Sequence, residues 1–331
     1  MTHEPGLPRT YAEHGYWRRY LPSLPDGGAA LVAAPLVEER WAWRRHAVHL
    51  HRLEPAGVAR GTVIVVHGGG GNGRLVMASG PELAADGWRV VAPDLPGYGL
   101  TTPADPRATD ARTMVAEWTA LVHDMAVRFR AETGAPVFLV GHSVGSWVAY
   151  NAAAAGAPVD GIAVTMLGDP ASPDVVRAAA GSWWKARLLL PLGDLAAPVI
   201  APIPVRIGHM VALGHISHDP RLVRVIREDP LIGRRWVRLG LLRSFVRMRF
   251  AVPPERFTAA PVLVVHPGAD PWLPAALTHA TYARLAAPKR MVELEGAGHF
   301  PIEPAAWATL HAELRAFLAA PRAVTTPRPA A

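Results

Sequence analysis

The sequence predicts an α/β protein in which a mostly parallel sheet carries helices on both faces and a helical cap is inserted late in the chain. Three observations predict it. Short β-branched runs alternate with amphipathic stretches between residues 62 and 167, and again between 262 and 319. The alternation lapses between 168 and 258. At one strand-to-helix junction stands the turn Gly141-His142-Ser143-Val144-Gly145. Strand, helix and strand repeated in this way bury a parallel sheet between two helical layers.

The elements follow in order. The first 20 residues or so, rich in Pro and polar residues, are expected to be loose. "HAVHLHRLEPAG" (46–57) alternates with period two, which suits an antiparallel opening strand. "TVIVV" (62–66) is an unbroken β-branched run, as a strand buried on both faces requires. "WRVVAP" (88–93), "VFLV" (137–140), "GIAVTML" (161–167), "VLVVH" (262–266) and "RMVELE" (290–295) read likewise. Helices are expected over 76–86, 110–132, 144–156, 273–286 and 303–319. In the second, Met114, Val115, Trp118, Leu121, Val122 and Met125 recur at three- and four-residue steps.

Residues 169–256 read as helices without strands. "HDPRLVRVIREDP" supplies Asp219 as an N-cap, Pro220 at the first helical position, and Leu222, Val225 and Ile226 on one face. The expected organisation is therefore a core over 1–168, a cap over 169–256, the rest of the core over 257–319 and a disordered tail over 320–331.

Composition narrows the function. Half of the 331 residues are apolar and 18% are charged, enough for a large core. The chain has no cysteine, which excludes disulfides, thiolate metal sites and cysteine nucleophiles. No signal-type apolar run opens the sequence, and "LAAPVIAPIPV" (195–205) is broken by three prolines, so a cytoplasmic protein without a spanning helix is expected. The net charge of +7 resides in residues 169–256, which hold 14 Lys or Arg against 7 Asp or Glu. A charge confined to the cap argues against a nucleic-acid partner. It suits a solvated arginine face, with weak contact to anionic membranes as the alternative.

"GTVIVVHGGGGNGRLV" (61–76) poses the central ambiguity. Gly68, Gly70 and Gly73 satisfy G-x-G-x-x-G, with Asp94 about 20 residues on, as in a dinucleotide-binding loop. The elbow decides against that reading. A serine on a tight strand-to-helix turn needs glycines on both flanks, and the turn aims free helix N–H groups at its hydroxyl. A serine hydroxyl needs a base, and the base needs an orienting carboxylate. "PVLVVHPGADPWLP" places Asp270 just after one buried strand, and "RMVELEGAGHFPIEP" places His299 just after the next. Asp169, after the preceding strand, is the rival acid. Both aspartates precede proline, so each could instead be a helix cap. The glycine loop then serves a transient oxyanion, held by the N–H groups of Gly69 and Val144.

His142, Trp183, Trp184 and Trp236 are candidates for lining an acyl pocket, the tryptophans being equally suited to forming the core of the cap. His46, His49 and His51 lie on one strand, and His49 and His51 share a face. No carboxylate follows at ligand spacing, so they are read as surface histidines and no metal site is expected. No cofactor is expected.

In order along the chain, "HGGGGNG", "DLPGYGLT", "GHSVG", Asp270 and "GAGH" resemble the landmarks of the α/β-hydrolase superfamily over about 45–318. That resemblance implies the α/β-hydrolase fold with a sheet of the eight-stranded type, Ser143 as nucleophile, His299 as base and Asp270 as acid. The cap segment "HISHDPRLVRVIREDPL" is similar to the lids of monoacylglycerol lipases and lysophospholipases, the serine-aminopeptidase-like group. The chain differs from that group in carrying Gly71-Asn72 where a Glu-His pair is usual, and Gly97-Tyr98-Gly99 where Gly-His-Gly is usual. Serine at 143 excludes the aspartate-nucleophile chemistry of dehalogenases and epoxide hydrolases. The expected function is hydrolysis of lipid-like or small hydrophobic carboxylic esters. Acyl transfer, thioester, peptide or C–C cleavage use the same triad. A silent ligand receptor and an NAD-binding oxidoreductase are the rivals of other classes.

Overall fold

Every residue of Thr62–Val66 is buried, and successive side chains go to opposite faces. Val63 and Val65 join one apolar cluster, Ile64 and Val66 the other. This two-sided burial organises the whole chain. The computed structural model describes residues 8–104, 115–180 and 199–320. Their strands are β1 (Val37–Trp43), β2 (His46–Leu53), β3 (Thr62–Val66), β4 (Arg89–Pro93), β5 (Thr102–Pro103), β6 (Val137–Gly141), β7 (Gly161–Val164), β8 (Pro204–Arg206), β9 (Trp236–Arg238), β10 (Val262–Pro267) and β11 (Lys289–Leu294).

A nine-stranded sheet runs β1-β2-β4-β3-β6-β7-β10-β11, with β5 on β2. From β4 to β11 neighbours are parallel; β2 is antiparallel to β1, β4 and β5. One face is covered by the helices Val115–Thr133 and Val144–Ala154, the other by helices that include Gly80–Ala85 and Pro304–Ala319. The fold is that of the α/β hydrolases. The strand order reverses at β3 and β6, and Val66 pairs with Gly141 in register, so the loops leaving both strands open at one crevice. Ligands of such sheets bind outside the carboxyl ends of the strands, at this reversal.

Three expectations need correction. The N-terminal segment is not loose from residue 8 onward. Thr10 caps a helix over Tyr11–His14, and Tyr11, Trp17 and Tyr20 are buried. Their anchorage comes from elsewhere: the Arg74 guanidinium lies 4.4 Å from the Trp17 ring centroid, and the Tyr20 hydroxyl bonds Asp229. Second, residues 169–256 are not strand-free, since β8 and β9 form an antiparallel pair. The helix Pro220–Glu228 follows its Asp219 N-cap as expected, with Leu222, Val225 and Ile226 buried. Third, the strand histidines are buried, not at the surface. β1 is half-polar and turns into β2 through Arg44 at φ 48, with no Gly or Asn to mark the turn, so the sequence pattern conceals the strand that covers them. Among the described residues no helix is long and apolar enough to cross a membrane.

Candidate active site

β6 ends at Gly141, and Ser143 opens the helix Val144–Ala154 at φ 52, ψ −121, a region that non-glycine residues occupy only under constraint. The flanking glycines are obligatory. A Cβ on Gly141 would lie 2.4 Å from the Gly145 carbonyl oxygen, and one on Gly145 would lie 2.2 Å from that of Val66. The Ser143 N–H donates to Thr165 Oγ1 at 2.9 Å, and Ser146 Oγ donates to the Gly141 carbonyl at 2.9 Å. Thr165, which pins the elbow, carries no motif signal; only its place just after β7 hints at it.

His299 Nε2 lies 2.9 Å from Ser143 Oγ, and His299 Nδ1 lies 2.7 Å from Asp270 Oδ2. With the Nδ1 proton donated to the carboxylate, Nε2 is free to accept the serine proton. Burial alone raises the Asp270 carboxyl pKa, but the hydrogen bond and charge of His299 outweigh it and hold the group below the ordinary aspartate range. Asp270 and His299 are each only 8% exposed. Their two loops are tied together: Gly268 N–H donates to the Leu294 carbonyl at 2.8 Å, and Ala269 N–H to that of Ala297 at 3.0 Å. The Trp272 ring packs on the His299 imidazole with centroids 4.9 Å apart.

The rival acid is elsewhere. Asp169 accepts the Ala171 N–H at 2.9 Å and pairs with Arg284 at 3.4 Å, so it closes a turn; the next helix begins only at Pro173, and the expected helix-cap role is not met. Asp270 orients the base and also shapes its own turn, because Oδ1 accepts the N–H groups of Trp272 and Leu273 at 2.7 and 3.1 Å, but it caps no helix: the next one, Ala275–Arg284, has Pro274 at its N-cap.

The glycine loop is set by His67. Its Nε2 accepts the Leu95 N–H at 3.0 Å, which leaves the proton on Nδ1 to be donated to the Gly68 carbonyl at 2.7 Å. Burial keeps this imidazole neutral, lowering its pKa although the Gly68 carbonyl and Asp94 pull the other way. The Gly68 carbonyl also accepts the Gly71 N–H at 3.0 Å. In a trans peptide the next N–H points opposite that carbonyl, so fixing Gly68 O fixes the direction of the Gly69 N–H. Gly68 packs on Ser143, where an added Cβ would lie 2.9 Å from the serine Cβ, and a Cβ on Gly69 would lie 3.3 Å from Val144 Cγ2. Neither the Gly69 nor the Val144 N–H has a partner among the described residues. Two free donors beside an activatable hydroxyl form a site able to hold a tetrahedral oxyanion. Asp94 does not await a ribose: it is fully buried and accepts the N–H groups of Gly73 and Leu100, each at 2.7 Å, and the Tyr11 hydroxyl at 3.0 Å.

His142 is buried beside the elbow. Burial, with the neighbouring imidazoles of His311, His299 and His67, lowers its pKa to about 4. Ile207 closes over the glycine loop, its Cγ2 3.1 Å from where a Cβ on Gly70 would stand. Trp236 is 46% exposed on β9, with the Arg206 guanidinium 5.0 Å from its ring centroid. Trp183 and Trp184 lie outside the described residues.

Residues 57–303 match the family described as serine aminopeptidase, S33. No curated protein matches the chain by sequence. Among solved structures, the chain is similar to a monoacylglycerol lipase from Paleococcus ferrophilus (23% identity, TM-score 0.59, covering 81% of this chain and 98% of that one). It is similar to a soluble variant of monoglyceride lipase from Saccharomyces cerevisiae, solved with a substrate analogue (18%, TM-score 0.63, 86% and 95%). A carboxylesterase from Bacillus subtilis is a third (17%, TM-score 0.58, 94% and 99%). At these identities the likeness is one of fold.

Proposed function

The chain belongs to the serine aminopeptidase, S33 family of α/β hydrolases, and from that premise we propose that it hydrolyses carboxylic esters of lipid-like or small hydrophobic substrates through an acyl-enzyme on Ser143. His299 takes the Ser143 proton as the oxygen attacks the acyl carbonyl. The tetrahedral oxyanion is received by the Gly69 and Val144 N–H groups, each worth on the order of 100-fold in rate. His299 returns its proton to the leaving alcohol, and the same imidazole then activates water to release the acid. Asp270 holds the imidazole in the required tautomer and steadies its charged form.

The observation that carries the reading is the unbroken chain Ser143 Oγ, His299 Nε2, His299 Nδ1, Asp270 Oδ2, at 2.9 and 2.7 Å. The preference for esters over the other acyl chemistries draws support from the lipase and carboxylesterase structures that the fold resembles. A chain-length series of p-nitrophenyl esters on wild type and Ser143→Ala tests nucleophile and acyl pocket together. The wild type should turn over, with an optimum chain length; activity surviving in Ser143→Ala overturns the mechanism.

A further inference from the structure

The hairpin β1–β2 buries a polar cluster that the proposed reaction does not use. Its register sets Glu38 directly across from His51 and Arg40 across from His49. Positions two apart on one strand share a face with their cross-strand partners, so Glu38, His49 and His51 converge. The carboxylate missing downstream of the histidines is supplied by the antiparallel neighbour that precedes them. One donor atom from each residue lies within 4.8 Å of the other two. His49 Nε2 is 2.8 Å from Glu38 Oε2, and His49 Nδ1 faces the fully buried Asp94 Oδ2 at 3.4 Å. His51 is fully buried, and neither of its ring nitrogens has a partner among the described residues. A buried imidazole without a partner is an unmet demand for a proton donor or a cation.

We propose that Glu38, His49 and His51 bind a divalent cation of the zinc type, through Glu38 Oε2, His49 Nε2 and a ring nitrogen of His51. Two imidazoles and a carboxylate are a donor set suited to such ions, with metal–ligand distances of about 2.0–2.2 Å. That radius places donors roughly 3.5 Å apart, so the present spread closes with a shift of about an ångström. The ion replaces the proton shared between His49 and Glu38, which leaves to solvent. Asp94 stands behind His49 as the outer carboxylate that orients a ligating imidazole. Glu38 Oε1 stays with Arg74 Nη2 at 3.1 Å, so the glutamate ligates through one oxygen. A cavity of about 440 Å³, lined in part by Thr10, Glu38, Arg40 and His49, gives the ion an approach. The Tyr11 N–H donates to Glu38 at 2.8 Å, and the Tyr11 ring lies 5.3 and 4.9 Å from those of His49 and His51. The ion would staple the N-terminal arm to the hairpin, a structural role separate from the triad.

The test uses the full chain, freed of metal by a chelator and titrated with Co²⁺ and Zn²⁺. Wild type should take up one ion, show Co²⁺ visible bands that Zn²⁺ abolishes, and melt at a higher temperature with Zn²⁺ than without. His51→Gln and Glu38→Gln should each weaken binding at least 10-fold. No uptake by wild type at millimolar metal, or wild-type affinity retained in both variants, overturns the site. Should neither variant fold, X-ray absorption of Zn²⁺-loaded wild type decides: two imidazoles and one carboxylate support the site, and any other ligand set removes it.

Discussion

Asp270 divides its carboxylate between two tasks: Oδ2 meets His299 Nδ1 at 2.7 Å, while Oδ1 is taken up by the turn through Trp272 and Leu273. One side chain thus shapes its own loop and orients the base on the next. Replacing it by Asn keeps the turn but presents the wrong partner to the imidazole. Asp270→Asn should therefore fold normally and lose on the order of 10⁴-fold in kcat, the scale seen when a triad acid is neutralised. Asp169→Asn should stay within a few-fold of wild type. Ester kinetics on the two variants checks this, and the reverse ranking would make Asp169 the acid.

His67 acts on the oxyanion through the Gly68–Gly69 peptide. His67→Ala removes the brace without touching Ser143 or His299, and misplacement of a donor by about 1 Å costs on the order of 100-fold. The loss should fall on kcat with KM little changed. A variant with wild-type kcat would show that the glycines hold the loop unaided.

Ser143 is held at φ 52. Such a conformation costs a non-glycine residue about 1–3 kcal/mol, part of which a glycine recovers. Ser143→Gly should be more stable than Ser143→Ala by about 1 kcal/mol, both being inactive. Denaturant midpoints measure it; equal stability would mean that the elbow is unstrained.

His142 gives a pH dependence with a definite sign. Its folded-state pKa lies at about 4, below the ordinary 6.5. As pH falls the unfolded chain takes the proton first, so this contribution is present above about 6.5 and lost progressively down to about 4. At pH 5 the loss relative to pH 7 is about 2 kcal/mol. In His142→Asn the decline in unfolding free energy between pH 7 and 5 should be shallower by that amount; an unchanged slope contradicts the assignment.

Ser143 and Asp270 were legible because each comes just after a fully buried strand, β6 or β10, whose apolar run is itself legible; His299 follows the largely exposed edge strand β11 and was legible from the Gly296-Ala297-Gly298 turn before it. Gly141 and Gly145 were legible for the same reason: backbone proximity leaves no alternative residue. The N-terminal arm was not, because Tyr11, Trp17 and Tyr20 are short apolar interruptions whose burial depends on Arg74, Asp94 and Asp229, all distant in sequence. Thr165 and the bracing role of His67 were hidden likewise, since both work through a neighbouring strand's loop. β1 is not legible because an edge strand with one polar face and an arginine turn lacks both apolar alternation and turn residues.

The most direct measurement of the central claim is stoichiometric labelling by a fluorophosphonate, with the modified peptide identified by mass spectrometry. One label per chain on Ser143, lost in Ser143→Ala and strongly slowed in His299→Ala, is the expected result. A folded chain that does not label, or labels at undiminished rate in Ser143→Ala, would contradict it.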